Sequence, residues 1–162
     1  MADVVIAEGP DGAGKSSTIE YLLDLRPDLF RLVATPRKPN KLTRFTDEYE
    51  QTFEDYLISL PSDKLVLLDR HVQSDIVYSG MRGEAMIVQS AYERLAYLQS
   101  KVNVYELYLL PEHIAYGSYS DDLIELSSEQ YEQICRQYAG LARQRFLQNK
   151  PGHVLVLTGD ER

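Results

Sequence analysis

Five short apolar runs recur along the chain: "DVVIA" from residue 3, "FRLVA" from 30, "KLVLL" from 64, "NVYELYLL" from 103 and "HVLVL" from 153. Their length is that of strands, and the segments between them mostly read as helices. "KSSTIEYLLDL" has Ile19, Leu22 and Leu23 at helical spacing, "TDEYEQTFEDYLISL" puts Tyr49, Phe53, Tyr56, Leu57 and Leu60 on one face, and "EAMIVQSAYERLAYL" does the same with Ile87, Ala91, Leu95 and Leu98. The longest stripe, in "LSSEQYEQICRQYAGLARQRF", runs through Tyr131, Ile134, Cys135, Tyr138, Leu141 and Ala142, and opens with Ser127 and Gln130 in capping-box spacing. Buried apolar runs alternating with helices predict an α/β fold in three layers, a five-stranded parallel sheet with helices on both faces. With 162 residues, 44% of them hydrophobic, and no repeat, low-complexity stretch or linker, one domain over 1–162 is expected.

The first run leads into "EGPDGAGKSS". Gly9, Gly12, Gly14, Lys15 and Ser16 fit G-x-x-x-x-G-K-[ST], a loop whose successive backbone N–H groups cradle a polyphosphate. Glycine is needed where a side chain would block the phosphate and where φ is positive. Lys15 would reach the β and γ phosphates, and Ser16 would put its hydroxyl on Mg²⁺. The cofactor site therefore comprises Gly9, Gly12, Ala13, Gly14, Lys15, Ser16 and Ser17, with ATP and Mg²⁺ as cofactors, and the fold class narrows to that of the P-loop NTPases. The loop also carries an acid, Asp11, where a phosphate wants donors.

A second signature is "KLVLLDRHVQSDIVYSGMRGE". Its strand ends in Asp69, which can hold Mg²⁺ opposite Ser16 or, alternatively, cap the next helix. Arg70 would emerge on the same C-terminal rim of the sheet, where ligands of open α/β folds bind.

Composition restricts the partners. The net charge of −8 makes the surface as a whole repel nucleic acid and anionic membranes. The local exception is "PRKPNKLTR", with Arg37, Lys38, Lys41 and Arg44 together: either a solvated loop or an anion site. No run approaches the ~20 apolar residues of a membrane span and no signal-peptide pattern opens the chain, so a cytoplasmic location is expected. The single cysteine, Cys135, reads as buried packing, and His71, His113 and His153 lack ligand spacing, which argues against a metal hydrolase.

The chain resembles the thymidylate kinases. The resemblance rests on "EGPDGAGKSS" and on "DRHVQSDIVYSGMRGE", which is similar to the family's D-R-[HY]-x-x-S-x-x-A-Y-x-G-x-x-R-G stretch. It continues through "YELYLLPE" and "EQYEQICRQYAGLA" over nearly the full length. It implies a nucleoside monophosphate kinase that passes the γ-phosphoryl of ATP to a deoxynucleotide of thymidylate type. By motif position it implies that Asp11 faces the acceptor near its sugar hydroxyl, which would explain the acid in the loop. It further implies that Arg70 binds the acceptor phosphate, that Arg82 approaches the base, that Ser74 and Tyr78 line the same pocket, and that Arg37 touches the acceptor phosphate. Lys38 stands where the family has an acid.

Two departures matter. The family supplies an arginine to the transferring phosphoryl from the phosphate loop or from a lid, whereas here Gly12 and Ala13 fill the loop and the short lid, about 111–127, is acidic. Arg136 and Arg143, on the following helix, are the nearest substitutes, and Arg136 joins Lys15, Asp69 and Arg70 as a catalytic candidate. The chain also ends just beyond "HVLVLTG", where the family continues into another helix. A compact, divergent or phage-type relative, in the latter case working in a host cytoplasm, is the form this suggests. The expected partner is a small nucleotide acceptor, with a second copy of the chain as a candidate and no membrane. The competing readings are a deoxynucleoside kinase, a kinase of a modified base or end in DNA, and a nucleotide-binding protein with little catalysis.

Overall fold

The computed structural model describes residues 1–35, 52–111 and 128–158. In chain order these residues form β1 (Val4–Glu8), α1 (Lys15–Leu25), β2 (Phe30–Val33), α2 (Phe53–Ser59), β3 (Leu65–Asp69), α3 (Val72–Met81), α4 (Ala85–Lys101), β4 (Val104–Leu110), α5 (Ser128–Gln148) and β5 (Val154–Thr158). The strands make one parallel sheet in the order β2-β3-β1-β4-β5. The first strand is thus central, and the chain departs to one side of it for β2 and β3 and to the other for β4 and β5. Such a reversal of direction opens a crevice at the C-terminal ends of the strands, where the loops after β1 and β3 meet.

Successive strand residues point to opposite faces. Val4, Ile6, Val66, Leu68, Val104 and Tyr108 pack against the side of α2, α3, α4 and α5, while Ala7, Leu67, Leu107 and Leu109 pack against Ile19 of α1. The helical stripes bury as their spacing requires: Phe53, Leu57 and Leu60; Ala91, Leu95 and Leu98; and all six residues of the α5 stripe. The Thr52 side chain caps α2 by accepting from the Asp55 N–H at 3.1 Å. Tyr49, Ser127, Arg37 and the rest of its basic cluster, and all of the expected lid but Pro111, lie outside the described residues.

Coverage on both faces fails at one edge. In β5 only Val154 is buried, and Leu155, Val156 and Leu157 are exposed. For Leu155 and Leu157, which alternate away from the α5 side that buries Val154, the reason is reach, since α1 packs on β1, β2 and β3; Val156 is exposed on the α5 side itself. Asp69 is also not a helix cap, because α3 starts at Val72 with His71 in the cap position.

Candidate functional site

The loop between β1 and α1 turns sharply under the crevice. At Gly9, with φ +152°, a Cβ would stand 2.2 Å from the Leu109 carbonyl oxygen of β4, so only glycine lets the loop lie on the neighbouring strand. At Gly14, φ is +88° where the chain enters α1, a left-handed turn that side chains resist. Ala13 is buried in the α1-side core, Lys15, Ser16 and Ser17 form the first turn of the helix, and Tyr131 of α5 ties the loop down through a 2.5 Å hydrogen bond to the Asp11 carbonyl. Lys15 Nζ is ion-paired with the Asp69 carboxylate at the tip of β3. The loop lysine, Ser16 and the strand acid all line a cavity of about 410 Å³.

Across that cavity stands Arg70. Its φ of +72° is left-handed, and among the described residues it is alone in this outside glycine. Such a backbone persists only where neighbours hold it. Here the Arg70 N–H donates to the Ala7 carbonyl at 2.9 Å, and its own carbonyl accepts from Thr35 Oγ1 at 2.7 Å. The guanidinium is held as firmly: Nη1 donates to Tyr138 Oη at 2.7 Å and Ser74 Oγ at 3.2 Å, and Nη2 donates to Asp11 Oδ1 at 3.0 Å. A guanidinium has five N–H donors. The remaining donors are left for a ligand in the cavity it lines. The acid in the loop is thus paired with Arg70.

Beneath Arg70 lies Glu8, the last residue of β1, which is fully buried. Its carboxylate accepts from the His71 N–H at 2.7 Å, the Ser74 N–H at 3.2 Å and Ser74 Oγ at 2.8 Å, and lies 3.7 Å from Arg70 Nη1. Burial pushes the Glu8 carboxyl up to about 7 against the pull of Arg70 and these donors. For Arg70, burial works against the charge, yet Tyr138, Glu8, Tyr78 and Asp11 outweigh it and raise its affinity for the proton. A second buried group borders the cavity from α2 and α4. Arg94 grips Glu54 through Nε at 3.1 Å and Nη2 at 2.8 Å, and His71 Nε2 lies 3.1 Å from Glu54, outside hydrogen-bonding geometry. Burial alone would raise the Glu54 carboxyl, but His71 and Arg94 hold it below the usual carboxylate range. The same burial drives the His71 ring below the usual imidazole range, against the pull of Glu54.

The structure thus brings together Asp11, Lys15, Ser16, Asp69, Arg70 and Ser74 around one cavity. Tyr78 stands behind them, its ring edge-on to Tyr138 at 6.1 Å. Arg82 does not join them. It sits at the C-terminal end of α3, about 15 Å of helix from Arg70, bonded to Glu84 at 2.8 Å and Ser79 at 3.2 Å. Arg136 does not join them either: its side chain is 75% exposed and paired with Glu132 one turn back on α5. Cys135 is buried, and burial raises its thiol to about 11, which suits packing and not nucleophilic chemistry. Glu8, Thr35, Tyr131 and Tyr138 are the positions that sequence reasoning passes over. The signal for Glu8 is an acid ending a buried strand; the two tyrosines are indistinguishable by spacing from core.

No protein-family profile matches the chain. Solved structures do match its fold: the candidate polyphosphate kinase 2 of Pseudomonas aeruginosa, with a TM-score of 0.56 at 16% identity over 98% of this chain and 34% of that one, is one. The YorR protein of Bacillus subtilis, solved in complex with phosphorylated GDP, matches at 0.55 and 15% identity over 97% of this chain and 85% of that one. Thymidylate kinase from Ehrlichia chaffeensis matches at 0.52 and 18% identity over 97% and 88%. The fold is that of the P-loop kinases. The chain spans about a third of the length of the Pseudomonas protein, and its likeness to all three is one of fold.

Proposed function

We propose that the chain is a nucleoside monophosphate kinase, which passes the γ-phosphoryl of ATP to the phosphate of a nucleoside monophosphate. The observation that carries this reading is Arg70, a guanidinium braced on four sides with donors left over, facing the Lys15–Ser16 end of the phosphate loop across one cavity. An acceptor phosphate is what such a group is suited to bind, through short charge-assisted hydrogen bonds. A deoxynucleoside acceptor would call instead for a base beside its hydroxyl, and in this reading the strand-end acid that could serve, Asp69, is given over to Mg²⁺ opposite Ser16.

In this reading the loop N–H groups and Lys15 hold the β and γ phosphates, so the Lys15–Asp69 pair opens as ATP enters. Ser16 and Asp69 offer a hydroxyl and a carboxylate, hard oxygen donors that fit Mg²⁺ when phosphate oxygens complete its shell. Bound there, Mg²⁺ would neutralise charge on the phosphates. Arg70 and Asp11 fix the acceptor, and the transfer needs positioning and charge stabilisation more than covalent help from the protein. A cytoplasmic setting and a small nucleotide as partner go with this reading; among the described residues no helix is long and apolar enough to cross a membrane.

The test is a coupled ADP-release assay over nucleosides, nucleoside monophosphates and single-stranded DNA. Turnover of monophosphates supports the reading. Turnover confined to nucleosides or to DNA would replace it with one of the two competing kinases.

A further inference from the structure

The same cavity holds a residue that phosphate binding does not use. Asp75 lies in the first turn of α3, one position beyond Ser74, and lines the cavity together with Arg70, Ser74 and Arg94. It is half-buried, and among the described residues it accepts no hydrogen bond. The charges that bear on it are Arg94, His71 and Arg82, whose pull partly offsets the upward push of burial on its carboxyl. Arg94 is itself fixed by its two bonds to Glu54. The cavity lined by Arg70 therefore also presents a carboxylate without a hydrogen-bond partner, near a cation fixed by Glu54.

We propose that Asp75 reads the acceptor base, and that the base it selects presents an exocyclic amine beside a ring N–H, as guanine does, in preference to thymine or uracil. This rests on the monophosphate kinase reading above. An ionised carboxylate only accepts hydrogen bonds. Guanine offers two adjacent donors, N1–H and the N2 amine, which a carboxylate can take together. Cytosine and adenine offer one amine beside a ring nitrogen lone pair. Thymine and uracil offer one N–H flanked by two carbonyl oxygens, which would face the carboxylate lone pair to lone pair; that repulsion is itself a source of specificity. An asparagine in the same place would offer one acceptor and one donor, the complement of thymine. The structural alternative is that Asp75 only complements the partial positive charge of the α3 N-terminus. That role is indifferent to which base is bound.

The experiment compares the full-length chain with the isosteric variant Asp75→Asn, measuring kcat/KM for GMP, CMP, AMP, UMP and dTMP with ATP and Mg²⁺. A bidentate contact discriminates by about tenfold or more. The expected result is that GMP exceeds dTMP by at least that factor in the parent, and that Asp75→Asn moves the dTMP to GMP ratio at least about tenfold towards dTMP. A parent that prefers dTMP, or a ratio unchanged within about twofold in Asp75→Asn, overturns the proposal. If none of the monophosphates is phosphorylated, the kinase reading fails. Calorimetric binding of the same five monophosphates to parent and variant then decides the base preference by the same two ratios.

Discussion

Tyr138 on α5 accepts a 2.7 Å hydrogen bond from the guanidinium of Arg70, 68 positions earlier in the chain at the end of β3. The tyrosine is fully buried, so the long C-terminal helix both closes the core and aims the cation of the crevice. Tyr138→Phe keeps the ring and removes the oxygen. Loss of one partner from a buried charged hydrogen bond costs about 1.5–3 kcal/mol. The expected outcome is a KM for monophosphates raised about tenfold with a much smaller change in KM for ATP, read by steady-state kinetics.

Glu8 makes the fold sensitive to pH. Its carboxyl is raised to about 7, so between its ordinary value of 4.5 and 7 the folded state binds more protons than the unfolded state. Stability therefore falls as pH rises through that window and levels off above it, by at most about 3 kcal/mol. Glu8→Gln removes the titration. Thermal unfolding from pH 5 to 8 should show the Tm of the parent falling relative to that of the variant; parallel curves would place the titration of Glu8 elsewhere.

At the donor end, the Lys15 side chain is largely buried and its ammonium is paired with Asp69. Lys15→Ala should lower kcat by about a hundredfold or more, the scale for removing one positioned donor to developing charge, with far-UV circular dichroism unchanged. Near-normal turnover would remove the donor site from this loop.

Arg136, one of the two arginines that the sequence offers for the transferring phosphoryl, does not line the cavity. Arg136 is exposed and held by Glu132, and exposed pairs of this kind contribute under about 1 kcal/mol. Arg136→Met is expected to leave kcat within about threefold. A hundredfold loss would mean that α5 turns or shifts during turnover to bring Arg136 in.

The phosphate loop, the strand acid and the five strands were legible because local chemistry dictates them: Gly9 and Gly14 occupy backbone that side chains cannot, and apolar runs buried on both faces make a parallel sheet. The brace under Arg70 was not. Glu8, Tyr131 and Tyr138 have the spacing of core residues and become part of the site only when α5 is laid against β4, β5 and α3, which no local pattern specifies. Arg82 and Arg136 differ in kind: motif position or helical distance names them, and neither lines the described cavity, Arg82 lying at the far end of α3 and Arg136 being paired with Glu132 on α5. The bare edge at Leu155 to Leu157 reads as a buried strand because its composition is that of one.

The central claim is that Arg70 holds an acceptor phosphate. It is tested most directly by kcat/KM for a nucleoside monophosphate and for the matching nucleoside, in the parent and in Arg70→Ala. The account predicts that the parent prefers the monophosphate by at least about a hundredfold, and that Arg70→Ala removes most of this preference for every base, as loss of a charge-assisted contact worth about 2–3 kcal/mol would. A preference that survives in Arg70→Ala, or a parent that favours the nucleoside, would contradict it.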